Sequence, residues 1–289
     1  THSIKGGTLK TGVATLPDFE KDATDRNRTS PFAFTNNKFE FRMVGSSDSI
    51  ASPNIVLNTI VAESFKEAAD ELEKAADFDE AVHNMIKKLF SNHRRIIFNG
   101  NGYSKEWVEE AKRRGLSNLP SLIDAIPALT APDSVKLFEE FSVFTKKELE
   151  SRVEIEYEAY SKAINIEAKT MIDIAGKSII PAVIRYTTRL ADSIIKLKKA
   201  VPDIDTSPQA SILLEVNKYL GNAKNALEDL KNEMDKSPEV SDVIKHAIFM
   251  HETVVPAMER LRSPIDSLEM MVDKELWPMP SYGDLIFEV

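Results

Sequence analysis

The sequence predicts an α+β protein that is mostly α, with a few strands and irregular helices in its first part and a long up-and-down helical extension behind them. Three observations carry this reading. Lys38-Phe39-Glu40-Phe41-Arg42-Met43 alternates strictly between charged and apolar residues, the period of a half-buried strand. From Ile55 onward apolar residues recur at three- and four-residue spacing instead, as on an amphipathic helix. The run from Lys146 to Ala200 contains no glycine or proline except Gly176 and Pro181; fully helical, it would extend about 80 Å at 1.5 Å per residue.

Taken in order, the strand places Phe39, Phe41 and Met43 on one face and Lys38, Glu40 and Arg42 on the other. Ser52-Pro53 reads as an N-cap with proline at the first helical position, and Ile55, Val56, Ile60, Val61 and Phe65 support a helix to about Glu73. Shorter helices are expected over Asp79–Ser91, Lys105–Arg114, Leu119–Ile126 and Asp133–Glu140, with turns between them that include Asn99-Gly100-Asn101-Gly102. Pro181 is expected to kink the long helix, and Val201-Pro202-Asp203 ends it. Ser207-Pro208 starts a helix with the stripe Leu213, Val216, Leu220, Ala223, Leu227, Leu230 and Met234, and Ser237-Pro238 starts another with Val243, Ala247, Met250, Val254, Met258 and Leu261. Pro256 should bend or interrupt that second helix. Antiparallel packing would bury these stripes together. A last short helix is expected from Pro264 to about Leu276, and the aromatic tail from Trp277 to Phe287 should dock on the body. No repeat at a period of roughly 20 to 50 residues is present.

Composition narrows the function classes. The chain has 289 residues, 42% hydrophobic and 29% charged, which excludes disordered and collagen-like chains and allows one large or two ordinary domains. Zero cysteine removes a disulfide framework, a thiolate zinc site and a cysteine nucleophile, and is compatible with a reducing cytoplasm. A net charge of -9 argues against a nucleic-acid partner, whose phosphates select clustered Lys and Arg. Residues 1–62 carry seven bases and six acids, leaving -10 for the rest. No apolar run approaches the roughly 18 residues of a membrane helix, and the first twenty residues lack a signal peptide's pattern. A soluble cytoplasmic protein with no membrane partner is expected. The chain opens at Thr1 with no element start, as a piece of a longer chain does.

Candidate chemistry is sparse. His246 and His251 stand five apart, about 140° around a helix, and HExxH is absent, so they read as solvated or hydrogen-bonded helix residues and poor metal partners. Gly6-Gly7 and Asn99-Gly100-Asn101-Gly102 match neither phosphate-loop pattern and read as turns. The acids from Glu148 to Glu158, interleaved with Lys146, Lys147 and Arg152, read as a solvated helix face. More informative is Asp25-Arg26-Asn27-Arg28-Thr29-Ser30-Pro31-Phe32-Ala33-Phe34, which leads into the strand with Lys38, Glu40 and Arg42. Guanidinium groups grip phosphate or carboxylate bidentately, and one carboxylate can hold Mg²⁺ or Mn²⁺ that shares the anion's oxygens. The same pattern also fits an exposed strand whose charges pair along the surface. Pattern alone leaves both open.

At these residues the sequence resembles glutamine synthetase, specifically the long type III form found in bacteria. Its motif RNRTSPFAFTGNKFEFR is matched from Arg26 to Arg42 with one departure, Asn36 in place of the usual glycine. The resemblance continues through Val44-Gly45-Ser46-Ser47, Gly100-Asn101-Gly102-Tyr103-Ser104, Ala111-Lys112-Arg113-Arg114-Gly115-Leu116 and Val272-Asp273-Lys274-Glu275-Leu276-Trp277-Pro278.

The resemblance implies roles by position. Glu40 would bind the metal, Arg42 would lie beside the glutamate substrate, and Arg28 near the transferred phosphate. Lys38 would lie near the nucleotide phosphates, and Arg26 would complete the cofactor-binding motif. It implies ATP and Mg²⁺ (or Mn²⁺) as cofactors, glutamate and ammonia as substrates, and self-association of the parent into a stacked-ring homo-oligomer. It further implies that residues 1–160 are the C-terminal part of the catalytic domain and 161–289 the helical domain of the type III form. The ATP signature, the other acidic metal ligands and a neighbouring subunit's loop would lie before Thr1, so this chain alone is expected to be inactive. A second expectation, of another class, is a helical interaction module that mediates subunit or ring assembly without catalysis.

Overall fold

The computed structural model describes residues 49–98, 104–237 and 240–287, and before them the backbone of four short strands. Its packing divides the chain into two compact units, Thr1–Pro120 with Leu137–Val143, and Ser121–Lys136 with Phe144–Val289. The described residues are mostly helical.

In the first unit, β1 (Thr8–Leu9) pairs antiparallel with β2 (Phe19–Glu20), and β3 (Phe32–Thr35) with β4 (Lys38–Phe41). The predicted strand is thus present over its first four residues, while Arg42 and Met43 lie outside the described residues. Helix α1 (Ala51–Leu72) starts before the proposed Ser52 cap: its N-cap is Ile50, with no side-chain cap, and Ser49 Oγ accepts from the Ala51 N–H at 3.2 Å. Helix α2 (Phe78–Asn92) is capped by Asp77, whose carboxylate accepts from the Glu80 N–H at 3.0 Å. Helix α3 (Lys105–Arg113) begins at Ser104 and ends in a complete Schellman motif. There Leu116 N–H donates to Ala111 O at 2.9 Å and Gly115 N–H to Lys112 O at 3.0 Å, with Gly115 at φ 71°. Only a residue without a Cβ adopts that conformation freely.

The second unit is built around three long helical elements. The first runs without a break from Lys146 to Ala200, as α6 (Lys146–Ile174), a π-helical turn (Ala175–Ile179) and α7 (Ile180–Ala200). It is preceded by α4 (Leu122–Ala125) and α5 (Pro132–Glu140), the latter ending in the first unit. Thr145 and Glu148 close a capping box at its start. Next comes α8 (Ser207–Lys236). The third is α9 (Val243–Phe249), a second π-helical turn (Met250–Val254) and α10 (Val255–Glu269).

Both π turns sit immediately before a proline, and the geometry explains why. A proline ring collides with the carbonyl four residues back and offers no N–H. Ile180 N–H donates to Ala175 O and Val255 N–H to Met250 O, each five residues back, so the ladder slips one position just ahead of Pro181 and Pro256. The expected kink at Pro181 and interruption at Pro256 therefore take the form of a register shift within continuous helices.

Two boundaries differ from expectation. Ser237 does not cap the third element; Asp242 does, accepting from the Lys245 N–H at 2.8 Å, while Ser237 Oγ is engaged with His246. Pro264 does not start a new helix but lies buried inside α10, where the packing of Leu261 and Leu268 on either side outweighs the roughly 3 kcal/mol that an interior proline costs.

The core follows the predicted stripes with coiled-coil spacing. Val216, Ala223, Leu227, Leu230 and Met234 are buried on α8, and Ala247, Met250, Val254, Ala257, Leu261 and Leu268 on the third element. Small residues stand where helices meet: Ala168, Ala175 and Ala182, spaced by seven, are fully enclosed. Leu276 and Trp277 of the tail pack on the cluster around Val183, Val216 and Leu268. The final helix α11 (Tyr282–Phe287) leaves Leu285, Ile286 and Phe287 in solvent, with Phe287 81% exposed. It is held instead by Asp284, whose carboxylate accepts from Lys274 Nζ at 2.6 Å and from the Ser281 hydroxyl and N–H at 2.7 Å.

Leu230→Ala is expected to lower unfolding stability by about 2–5 kcal/mol, read from the urea midpoint, because the enclosed site cannot collapse. The hydrogen bond from Lys274, followed by those from Ser281, lowers the Asp284 carboxyl from 3.8 to about 2. A depressed carboxyl stabilises above its unfolded value and ceases to do so as pH falls through its folded value, so attachment of α11 should hold above about pH 4 and weaken toward pH 2. Carboxyl NMR should find Asp284 titrating near 2, and Lys274→Met should move it back toward 3.8.

Candidate functional site

The hairpin β3–β4 carries the sequence-predicted site as far as the structure describes it. The register sets Glu40 opposite Ala33 and Lys38 opposite Thr35, with Phe39 opposite Phe34 and Phe41 opposite Phe32. Directly opposed residues share a face of an antiparallel pair, so Lys38 and Glu40 hold neighbouring positions on one face and the phenylalanines hold the other. Two residues separate the strands, Asn36 and Asn37, and asparagine is among the types that two-residue hairpin connections favour. Arg26, Arg28 and Arg42 lie outside the described residues.

As a metal ligand Glu40 fits in kind: it is a hard carboxylate oxygen donor on a strand position whose register partner is alanine. Mg²⁺ binds through one or two carboxylates and completes an octahedron with waters and substrate phosphates. Among the described residues no group of three or more His, Asp or Glu is placed to hold a metal.

A second polar cluster of the first unit was not singled out by sequence reasoning. Arg114, at the end of α3, donates through Nη1 to Arg95 O at 3.2 Å and Ile97 O at 2.9 Å. Its Nε pairs with Glu110, and its guanidinium lies 5.5 Å from the centre of the Trp107 ring. Trp107 stacks on Phe98 with centroids 3.9 Å apart. One arginine thus joins the start of α3, its end and the turn before residue 98. The hydrogen bonds from Arg114 and then Arg113 hold the Glu110 carboxyl below its ordinary range. The clue in the sequence was Arg113-Arg114-Gly115, a basic pair at a helix C-cap, but nothing in it names the carbonyls that Arg114 reaches.

In the second unit the two histidines are hydrogen-bonded, each to a residue from another element. Tyr160 Oη lies 3.0 Å from His251 Nδ1, and Ser237 Oγ lies 2.8 Å from His246 Nε2. Burial, and then the charge of Glu167, raise the Tyr160 hydroxyl above its ordinary value. The acids of α6 are surface groups as expected: Glu148 caps the helix, and Glu158 pairs with Lys162 at 2.7 Å. No described helix is long and apolar enough to cross a membrane.

Residues 81–198 match the glutamine synthetase C-terminal domain family. The relatives carry the likeness along almost the whole chain. A type-3 glutamine synthetase from Dictyostelium discoideum is 39% identical over 96% of this chain and 38% of its own length. Glutamine synthetases from Bacteroides fragilis and Butyrivibrio fibrisolvens are 35% and 34% identical over 97% and 94% of the chain, and 40% and 39% of their own lengths. The chain therefore spans about two fifths of the length of the curated relatives it matches.

Arg114→Lys keeps the charge but not the forked geometry that reaches two carbonyls and a carboxylate. It is expected to raise hydrogen exchange at the Ile96 and Ile97 amides by about tenfold, the worth of one to two lost hydrogen bonds, while the α8 amides stay unchanged.

Proposed function

We propose that this chain is the C-terminal region of an ATP-dependent glutamate–ammonia ligase and supplies one wall of its active site. The single observation that carries the reading is the 34–39% identity to three glutamine synthetases along 94–97% of the chain. In this reading the first part, to about residue 160, closes the catalytic domain, and residues 161–289 form a helical domain of the type III kind. The protein works in the cytoplasm.

The chemistry follows from what the residues can do. ATP phosphorylates the side-chain carboxylate of glutamate, giving a γ-glutamyl phosphate and ADP. Ammonia then attacks the acyl carbon, phosphate leaves with the C–O electron pair, and the attacking nitrogen loses its proton to give glutamine. Negative charge builds on the phosphoryl oxygens in the first step and on the departing phosphate in the second. Glu40 would hold a Mg²⁺ or Mn²⁺ ion, which when bound neutralises phosphoryl oxygens. Arg28 faces the transferred phosphate, Arg42 orients the glutamate carboxylate, and Arg26 and Lys38 bind the nucleotide phosphates. A carboxylate and four cations fall within seventeen consecutive residues, the residue types that an anion site shared with one hard cation calls for. The relatives being some two and a half times longer, the remaining ligands belong to the rest of the parent enzyme, and this chain alone is inactive.

A second reading is favoured by apolar side chains that the second unit leaves in solvent, with Leu214 73% and Met270 85% exposed. Such surfaces suit subunit or ring assembly, and the helical domain would then serve association without catalysis. The two roles coexist in a stacked-ring parent.

Glutamine formation from glutamate, ammonia, ATP and Mg²⁺ tests the first reading. The isolated chain is expected to give no turnover. In the full-length parent, Glu40→Ala or Arg28→Ala should lower kcat by about a hundredfold or more, the scale of losing one transition-state charge partner. Full activity of either variant in the parent would refute the assigned site. Loss of oligomers on trimming the helices, with kcat per site intact, would support the assembly role alone.

A further inference from the structure

Within the second unit, α6 interrupts its own buried seam with polar residues. The seam runs through Leu149, Val153 and Tyr157, then reaches Ser161 before resuming at Ala168, all of them buried. Around that interruption a cavity of about 310 Å³ opens, lined by Glu158, Ser161, Lys162 and Asn165 from α6 and by Ser237 and His246 from the end of α8 and from α9. The α6 residues are spaced by three, four and seven, and so share one face. Cavities of this size between helices of a bundle are ordinary sites for small ligands.

We propose that this cavity binds a free α-amino acid in its zwitterionic form. The donors and acceptors on its wall divide by charge. Ser161 Oγ donates its proton to Tyr157 O at 2.9 Å, so toward the cavity its oxygen is an acceptor. With the Glu158 carboxylate beside it on the same face, it makes a seat for an ammonium group. One helical position on, Lys162 and the Asn165 carboxamide offer donors to a carboxylate. Ser237 and His246 are joined at 2.8 Å and form a closed polar wall. Val240, Ser241 and Val243 line the remaining side, and the two valines suit the methylenes of an amino-acid side chain.

A ligand with one charge fits less well. A simple anion at Lys162 would face Glu158, and a simple cation at Glu158 would face Lys162. A zwitterion meets both, and it need only displace the exposed Glu158–Lys162 pair, 2.7 Å apart, a contact of a kind worth only a few tenths of a kcal/mol. The inference is independent of the ligase reading, because no residue of the β3–β4 hairpin enters it.

The experiment is calorimetric titration of the full chain with a panel of L-amino acids that includes glutamine, glutamate, alanine and leucine. Glutarate and butylamine serve as single-charge controls, and the panel is carried to about 20 mM to reach weak affinities. At least one amino acid should bind saturably. Lys162→Met and Glu158→Gln should each weaken that binding by about tenfold or more, equivalent to about 1.4 kcal/mol, with the helical circular dichroism and Tm of the unliganded chain unchanged. The proposal is overturned if no amino acid binds in that range, if either variant binds as the parent does, or if glutarate or butylamine binds as tightly as the amino acid.

Discussion

The constraint on which the second unit depends is the single face of α8. Val216, Ala223, Leu227, Leu230 and Met234 form one stripe at spacings of seven, four, three and four residues, and α7 and α10 both close on α8. A helix that serves two partners must present a narrow surface to each, which small residues at Ala223 and Ala226 allow. Burial of this shared stripe accounts for most of what holds the unit together, since the ion pairs on the helices are exposed and individually weak. The long α6–α7 element extends beyond what α8 covers, and its outer part packs instead on Ile123, Ile126 and Ala247.

Proline placement is subordinate to that packing. Pro181 and Pro256 stand in matching contexts, Ile179-Ile180-Pro181-Ala182 and Val254-Val255-Pro256-Ala257, each behind a π turn. In both, the residue two before the proline and the alanine after it are buried. Widening the helix by one residue keeps the ladder satisfied ahead of the proline while the buried residues hold their stripe. A break would expose that stripe, so the register shift is the lower free-energy solution.

The first unit is stabilised differently. Its helices α1 and α2 leave many apolar side chains in solvent, with Phe65 72% and Phe90 65% exposed. Its local order comes from caps and polar links: Asp77 and Ser104 at helix starts, the Gly115 turn, and Arg114 bridging α3 to the preceding carbonyls. Ion pairs of Lys66 with Glu140 and Lys88 with Glu71 add to these. Such contacts fix direction more than they add stability, as suits a unit in which a hairpin presents charged residues at set register positions.

The sequence by itself determined the helical class, the stripes of α8 and of the third element, the strand at Lys38, and the motif that relates the chain to glutamine synthetases. Each depends on periodicity or on a run of adjacent residues, which are local properties of the chain. It did not determine that Pro264 would be absorbed into a helix, that Ser237 would turn to His246 instead of capping, or that Arg114 would reach two carbonyls about twenty residues upstream. Nor did it determine that Glu158, Ser161, Lys162 and Asn165 would line one cavity with Ser237 and His246. Those outcomes are set by which side chains meet across elements, where a buried contact outweighs a local preference of a few kcal/mol or less. Only the tertiary structure decides such meetings, because the residues concerned are distant in sequence and nothing local brings them together.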